Sequence, residues 1–231
     1  MAAARVGGAG PNGRRAPPIS HKPARRVTTV NSPADRPALD AGALDTLFLA
    51  ARTHRHWQDR PVPDALLSRA YELARMAPTS ANCSPLRVVF VRTAEGKAKL
   101  EPCLSAGNVR QTMAAPVTAI FAHDRRFFEL MPRLAPHSPD ARSWFEGDPA
   151  AEFAHALRNG SLQAAYMILA LRGLGLDCGP MGGFDAAKLD AAFFPDGRWA
   201  SNFLCNIGYG LPERLHPRAP RLSADEACRF E

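Results

Sequence analysis

The sequence predicts an α+β fold in which helices outnumber strands. Three observations predict it. Apolar runs of strand length are bounded by turn residues, apolar residues recur at helical spacing in the stretches between, and the order mixes the two types. In chain order, Asp40 caps a helix whose stripe is Leu44, Leu47, Phe48 and Ala51, at i, i+3, i+4 and i+7. Asp64 opens a second helix with Leu66, Leu67, Ala70 and Leu73 inward, stopped near Pro78. Residues 86–91 (LRVVFV) read as a strand, residues 94–104 as a short helix and residues 109–114 as another. Residues 117–122 (VTAIFA) are a strand of the buried, near-continuous apolar type. Residues 124–147 are irregular and aromatic, with Phe127, Phe128, Trp144 and Phe145 spaced by Pro132, Pro136 and Pro139. Asp148-Pro149 supplies an N-cap and a first-turn proline for a helix running to Leu171. Its second half is apolar nearly all round, which predicts burial in a core or a subunit interface. Residues 202–209 form the last strand, ahead of a Pro/Arg-rich end.

With 46% hydrophobic and 22% charged residues, the 231-residue chain carries enough apolar material for one sizeable core. The longest apolar run, Ala164 to Leu171, is too short to cross a bilayer, and no secretory signal opens the chain. A formal charge of +7 suggests a polyanion until it is located. Arg5, Arg14, Arg15, Lys22, Arg25, Arg26 and Arg36 face only Asp35 in residues 1–38, which leaves 22 basic and 21 acidic residues in the body. A nearly neutral body gives no footprint for nucleic acid. Residues 1–38, rich in Pro, Ala, Gly and Arg, are expected to be a disordered basic tail, with residues 39–231 as the folded domain. Five cysteines at 83, 103, 178, 205 and 228 show neither metal-knuckle nor redox spacing, which points to reduced thiols in a cytoplasm. His54 and His56 sit among arginines that repel a metal cation, so no metal site is expected.

Three clusters carry candidate chemistry. Arg52-Thr53-His54-Arg55-His56-Trp57 places two guanidinium groups and a hydroxyl where they can bond a phosphate monoester, or simply complement a helix terminus. Residues 77–85 (APTSANCSP) gather hydroxyls and Asn82 between two prolines, as a ligand loop or an ordinary turn. Residues 178–185 (CGPMGGFD) hold adjacent glycines whose backbone N–H groups can approach a ring edge, or form a bland helix-to-loop turn. The stretch from Gly173 to Gly179 follows a helix and has one residue too many before its last glycine, so a Rossmann loop is excluded. No P-loop and no GxSxG nucleophile elbow is present.

Together and in this order the clusters resemble the FMN-dependent nitroreductase family, and within it the malonic semialdehyde reductase branch of pyrimidine utilisation. The resemblance runs from about residue 41 to 231 and is carried by ARTHRHW, APTSANCSPLRVVFVRTAEGK, SAGN, APVTAIFAHD, PHSPDARSWF, GLGLDCGPMGGFD and NIGYG followed by PRLSADEA. It implies a homodimer with a mixed, mostly antiparallel sheet flanked by helices, and FMN at the subunit interface. Arg52, Thr53 and Arg55 then match the N-terminal flavin motif, and Asn82 the asparagine near the ring and ribityl chain. Gly182 and Gly183 match the backbone pair facing flavin N5 and O4. Arg221, with Arg218 beside it, matches the basic residue closing on the phosphate. His54, Trp57 and Ser84 depart from the commoner aliphatic residue, Phe and Gln.

The activity implied is reduction of malonic semialdehyde to 3-hydroxypropionate by NADH or NADPH. Hydride is relayed through flavin N5, and no dedicated catalytic side chain is needed beyond the Gly182 and Gly183 amides. The substrate carboxylate calls for a further cation. Arg142, in the aromatic segment with Trp144, or Arg110, beside Asn108, would supply it, unless Arg142 instead pairs with Asp140 or Glu146. A general nitroaromatic or quinone reductase and a non-catalytic flavin-binding module are the alternatives.

Overall fold

The computed structural model describes residues 37–231, so all but the last two residues of the tail expected over residues 1–38 lie outside the described residues. The centre is a four-stranded antiparallel sheet of β1 (Leu86–Val91), β2 (Val117–Asp124), β3 (Asp177–Met181) and β4 (Trp199–Gly208), in the order β1-β2-β4-β3. Among the described residues its one parallel feature is a bridge from Thr53 to Cys178 on the outer edge of β3. All eight residues of β2 are buried, and their alternation builds two cores. Val117, Ala119 and Phe121 face a cluster with Leu67, Ala70, Ala74, Ala164, Met167 and Leu171. Ile120 and Ala122 face the other cluster, with Leu100, Leu189 and Leu204.

The helices in chain order are α1 (Ala41–Leu44), α2 (Asp64–Ala74), α3 (Ala94–Leu100), α4 (Ala106–Ala114), α5 (Met131–Leu134), α6 (Pro149–Gly173), α7 (Ala186–Phe193) and α8 (Ala224–Ala227). Asp148 caps α6 by accepting from the Ala150 N–H, with Pro149 in the first turn as expected. Helices α2 and α6 cover one sheet face, and α3 and α7 the other. No described helix is long and apolar enough to cross a membrane.

Several elements differ from expectation, each for a local reason. The first helix is only one α-turn, continued by a π-type turn over Asp45–Leu49 that stops short of Ala51. Its stripe is only half covered among the described residues: Leu47 and Ala51 are part-buried, while Leu44 is 41% and Phe48 52% exposed. In α2 the buried face is turned, so that Ala74 goes inward and Leu73 outward. Pro102 breaks the expected helix over residues 94–104 into α3 and a 3-10 turn. Helix α4 begins three residues earlier than expected, directly after Ser105. On α6, Phe153, Leu162 and Tyr166 stay exposed, while Ala164, Met167 and Leu171 fill the core. Strand β4 begins three residues before the expected start. Strand β3 itself was hidden by Gly179 and Pro180, which are depleted in strands, and α7 by the short segment behind its Asp185 cap.

Candidate functional site

Strand β3 is the axis of the site. At its start, the His54 N–H donates to the Cys178 carbonyl at 3.0 Å, which lays residues 52–54 along the strand edge. The approach is close: a Cβ on Gly179 would overlap the His54 carbonyl oxygen, so only glycine fits there. The His54 ring is buried and its Nε2 lies 3.3 Å from Asp177. Burial is the main force holding its pKa below the ordinary value; Asp177 pulls it up and Arg52 pushes it further down.

Beside this edge lies a pocket of about 340 Å3, lined by Phe48, Arg52, Thr53, Arg172, Arg218 and Arg221 among others. Backbone carbonyls hold its four guanidinium groups. Arg52 donates to the His216 carbonyl, Arg218 to those of Leu49 and Ala51, and Arg221 to those of Ala219 and Pro220. Arg172 donates to the Leu47 carbonyl at 3.1 Å, and its Nε is buried without a partner among the described residues. No carboxylate lines the pocket, and no described acid pairs with any of the four. Four positive charges around one hydroxyl, uncompensated, fit a phosphate dianion.

Gly182 lies four residues beyond Cys178, about 13 Å of extended chain away. The Gly183 carbonyl accepts from the Asn108 amide at 2.8 Å and from the Ser105 N–H at 3.1 Å. Gln111 holds the Asn108 side chain from behind, its Nε2 donating to Oδ1 at 2.6 Å, and the Trp57 indole donates to the Gln111 carbonyl at 3.1 Å. That fixes the Gly183–Phe184 peptide, whose N–H donates to the Gly182 carbonyl at 3.1 Å and so orients the Gly182–Gly183 peptide in turn; the N–H groups of Gly182 and Gly183 donate to no described residue. A Cβ on Gly183 would collide with the Asn108 amide nitrogen. Arg55, expected beside Arg52 and Thr53 at the phosphate, does not line the arginine pocket; it and Arg110 are exposed, and both lower the pKa of His56, after its desolvation and the charge of Arg214.

The other anticipated residues lie elsewhere. Asn82 is part of a loop with left-handed backbone at Ala81, Asn82 and Ser84, tied to α6 where the Ser80 N–H donates to Asn159 Oδ1 at 2.8 Å. Its amide donates to the Leu134 carbonyl at 2.8 Å and borders a separate cavity of about 1000 Å3 with Arg133 and Leu134. Within one protomer, then, Asn82 joins neither the arginine pocket nor the glycine edge. Arg142 is clamped by Glu146 through two bonds of 2.6 Å, which raises its pKa further, and the Trp144 indole donates to Asp140 at 3.0 Å. A guanidinium neutralised this way is not a free anchor for a substrate carboxylate. The residues of the candidate site missed by sequence reasoning are Arg172, which lines the arginine pocket, and Gln111, which holds Asn108. The one signal for Arg172 was an arginine closing an otherwise apolar run, and Gln111 carried none.

Residues 49–209 match the sequence model of the nitroreductase family. A protein of Ralstonia nicotianae, provisionally named NADH dehydrogenase/NAD(P)H nitroreductase, is 55% identical over 193 residues, 84% of this chain and 98% of its own length. One of Stutzerimonas stutzeri with the same provisional name is 58% identical over 190 residues, 82% of this chain and 96% of its own. Among solved structures, a provisionally named nitroreductase of Exiguobacterium sibiricum in complex with FMN superposes with a TM-score of 0.74 at 18% identity. That match covers 85% of this chain and 99% of the other. The chain belongs to the nitroreductase family.

Proposed function

We propose that the protein is an FMN-dependent NAD(P)H oxidoreductase that reduces malonic semialdehyde to 3-hydroxypropionate in pyrimidine degradation. The observation that carries the flavin reading is the pairing of an uncompensated arginine pocket with a donor edge one short strand away. Arg52, Arg172, Arg218 and Arg221 with Thr53 would hold the phosphate, and the Gly182 and Gly183 amides would bond the ring edge. The FMN-bound nitroreductase of the same fold and the NAD(P)H in the relatives' names support the same choice of cofactor and reductant. When bound, FMN supplies two-electron transfer between a nicotinamide and an acceptor. The chain contributes position and field: backbone-held guanidiniums keep their charge for the ligand, and Asn108 keeps the glycine peptide turned.

The substrate reading rests on the resemblance carried by PTSANCSP, DARSWF and GPMGGFD. With Arg142 occupied by Glu146, Arg110 and Arg55 become the cations for a substrate carboxylate. The exposed apolar residues of the first helical segment and of α6 suit a homodimer, in which the Asn82 loop of a second copy would complete the flavin site. The relatives' names favour a second reading, a general nitroaromatic or quinone reductase.

Anaerobic reduction of the purified protein by NADH and by NADPH, then reoxidation by each acceptor, separates these readings. Rapid reoxidation by malonic semialdehyde is the expected result. Preference for nitrofurazone or menadione would transfer the protein to the second reading. Failure to bleach with either nicotinamide would leave only a flavin-binding module.

A further inference from the structure

A buried lysine is joined by hydrogen bonds to the residue that precedes the glycine edge. Lys97, on α3, is 7% exposed, and its ammonium donates to the Thr112 carbonyl at 2.7 Å and to Thr118 Oγ1 at 2.8 Å. No described carboxylate pairs with it, and burial alone pulls its pKa down to about 8. The hydrogen bonds that follow all point one way. The Thr118 hydroxyl donates to Asn206 Oδ1 at 2.8 Å, Asn206 Nδ2 to Thr112 Oγ1 at 3.3 Å, and the Thr112 hydroxyl to the Met181 sulfur at 3.5 Å. Met181 directly precedes Gly182. The same lysine grips the last turn of α4, whose first turns carry Asn108 and Gln111, the residues that fix the Gly183 peptide. A cation at a helix C-terminus stabilises that helix. A donor chain aligned head to tail is polarised along its length where the dielectric is low.

We propose that Lys97 is a positioning residue for the flavin site: its buried ammonium, acting through Thr118, Asn206 and Thr112 and through α4, fixes the Gly182–Gly183 donor edge and raises the reduction potential of bound flavin. The inference rests on the flavin reading above. A positive charge linked to the edge favours the electron-rich reduced ring over the oxidised one. None of the side chains joined along the chain on α4, β2 or β4 titrates, so the charge of the network is the charge of Lys97.

The test compares the FMN-loaded wild type, Lys97→Met and Thr118→Val by spectroelectrochemistry between pH 6.5 and 9.5. For Lys97→Met at pH 7 the reduction equilibrium should move about tenfold toward the oxidised form, about 30 mV for a two-electron couple. Thr118→Val should move it the same way by less. The gap between wild type and Lys97→Met should close above pH 8, as the wild-type ammonium loses its proton, a behaviour that a purely structural lysine would not produce. If Lys97→Met fails to fold, Thr118→Val decides. Coincident potentials in the folded holoproteins overturn the role of Lys97 alone. A wild type that binds no FMN overturns the flavin reading instead.

Discussion

Two arginine clusters in this protein look alike in composition and differ in what surrounds them. Around Asp124, which is buried at the end of β2, Arg87 donates at 2.8 Å, Arg198 donates through Nε and Nη2, and Glu129 takes Arg198 Nη1 at 2.6 Å and Arg126 as well. There the cations are matched by carboxylates, and the Arg198 bond is the first force holding Glu129 below its ordinary pKa. In the pocket beside Thr53, four guanidiniums are held by carbonyl oxygens and no acid answers them. Carbonyls fix an arginine without consuming its charge, whereas carboxylates fix it and consume it. The first cluster therefore staples the fold, and the second keeps its charge available to an anion.

The largest effect that would sharpen this contrast is in the pocket. Replacing Arg52 and Arg221 by Ala together should weaken FMN binding on the order of a thousandfold, about 4 kcal/mol for two charge-assisted bonds, with little change in Tm. Fluorescence titration of the apoprotein checks it. Asp124→Asn should do the reverse, costing about 3 kcal/mol in urea unfolding, because it leaves partly buried guanidiniums unpaired, while FMN affinity stays put. Loss of FMN affinity in Asp124→Asn would break the distinction.

Next comes Gly183→Ala, which must displace Asn108 and should cost about 2 kcal/mol in stability along with weaker flavin binding. A smaller effect belongs to His123, buried with neither ring nitrogen paired among the described residues, its edge on Phe153. Burial chiefly, then Arg125, depresses its pKa below 6.5, although Asp190 and Asp124 oppose this. The unfolded chain therefore binds a proton first, and stability should decline as pH falls below about 6.5 toward the folded pKa. His123→Phe should flatten that decline in urea titrations at pH 5 to 7. The smallest effect is expected for Arg142→Ala: held by Glu146 at the surface, it should change the KM for malonic semialdehyde by less than about twofold.

Legibility in the sequence followed the strength of local physics. Strands β1, β2 and β4 announced themselves through Val, Ile and Phe runs, and α6 through Asp148-Pro149. Strand β3 did not, because its Gly179 is required by the His54 backbone pressing on it, a long-range contact that erases the local signal. The same holds for the site. Arg52 and Thr53 are legible as a guanidinium and a hydroxyl side by side, and Arg218 and Arg221 only through the family pattern, but that they meet in one pocket, and that Arg172 joins them from α6, is decided by tertiary packing. For Arg142 the sequence leaves a free cation and a partner of Asp140 or Glu146 equally open, and the structure forms the i, i+4 pair with Glu146. Asn82 was expected beside the ring, and a single protomer places it on another cavity.

The direct test of the arginine pocket is to titrate the apoprotein with FMN and with riboflavin, which differ only by the phosphate. The account predicts that FMN binds at least about a hundredfold more tightly, with an advantage that shrinks as salt is raised. Equal affinity for the two, insensitive to salt, would contradict it.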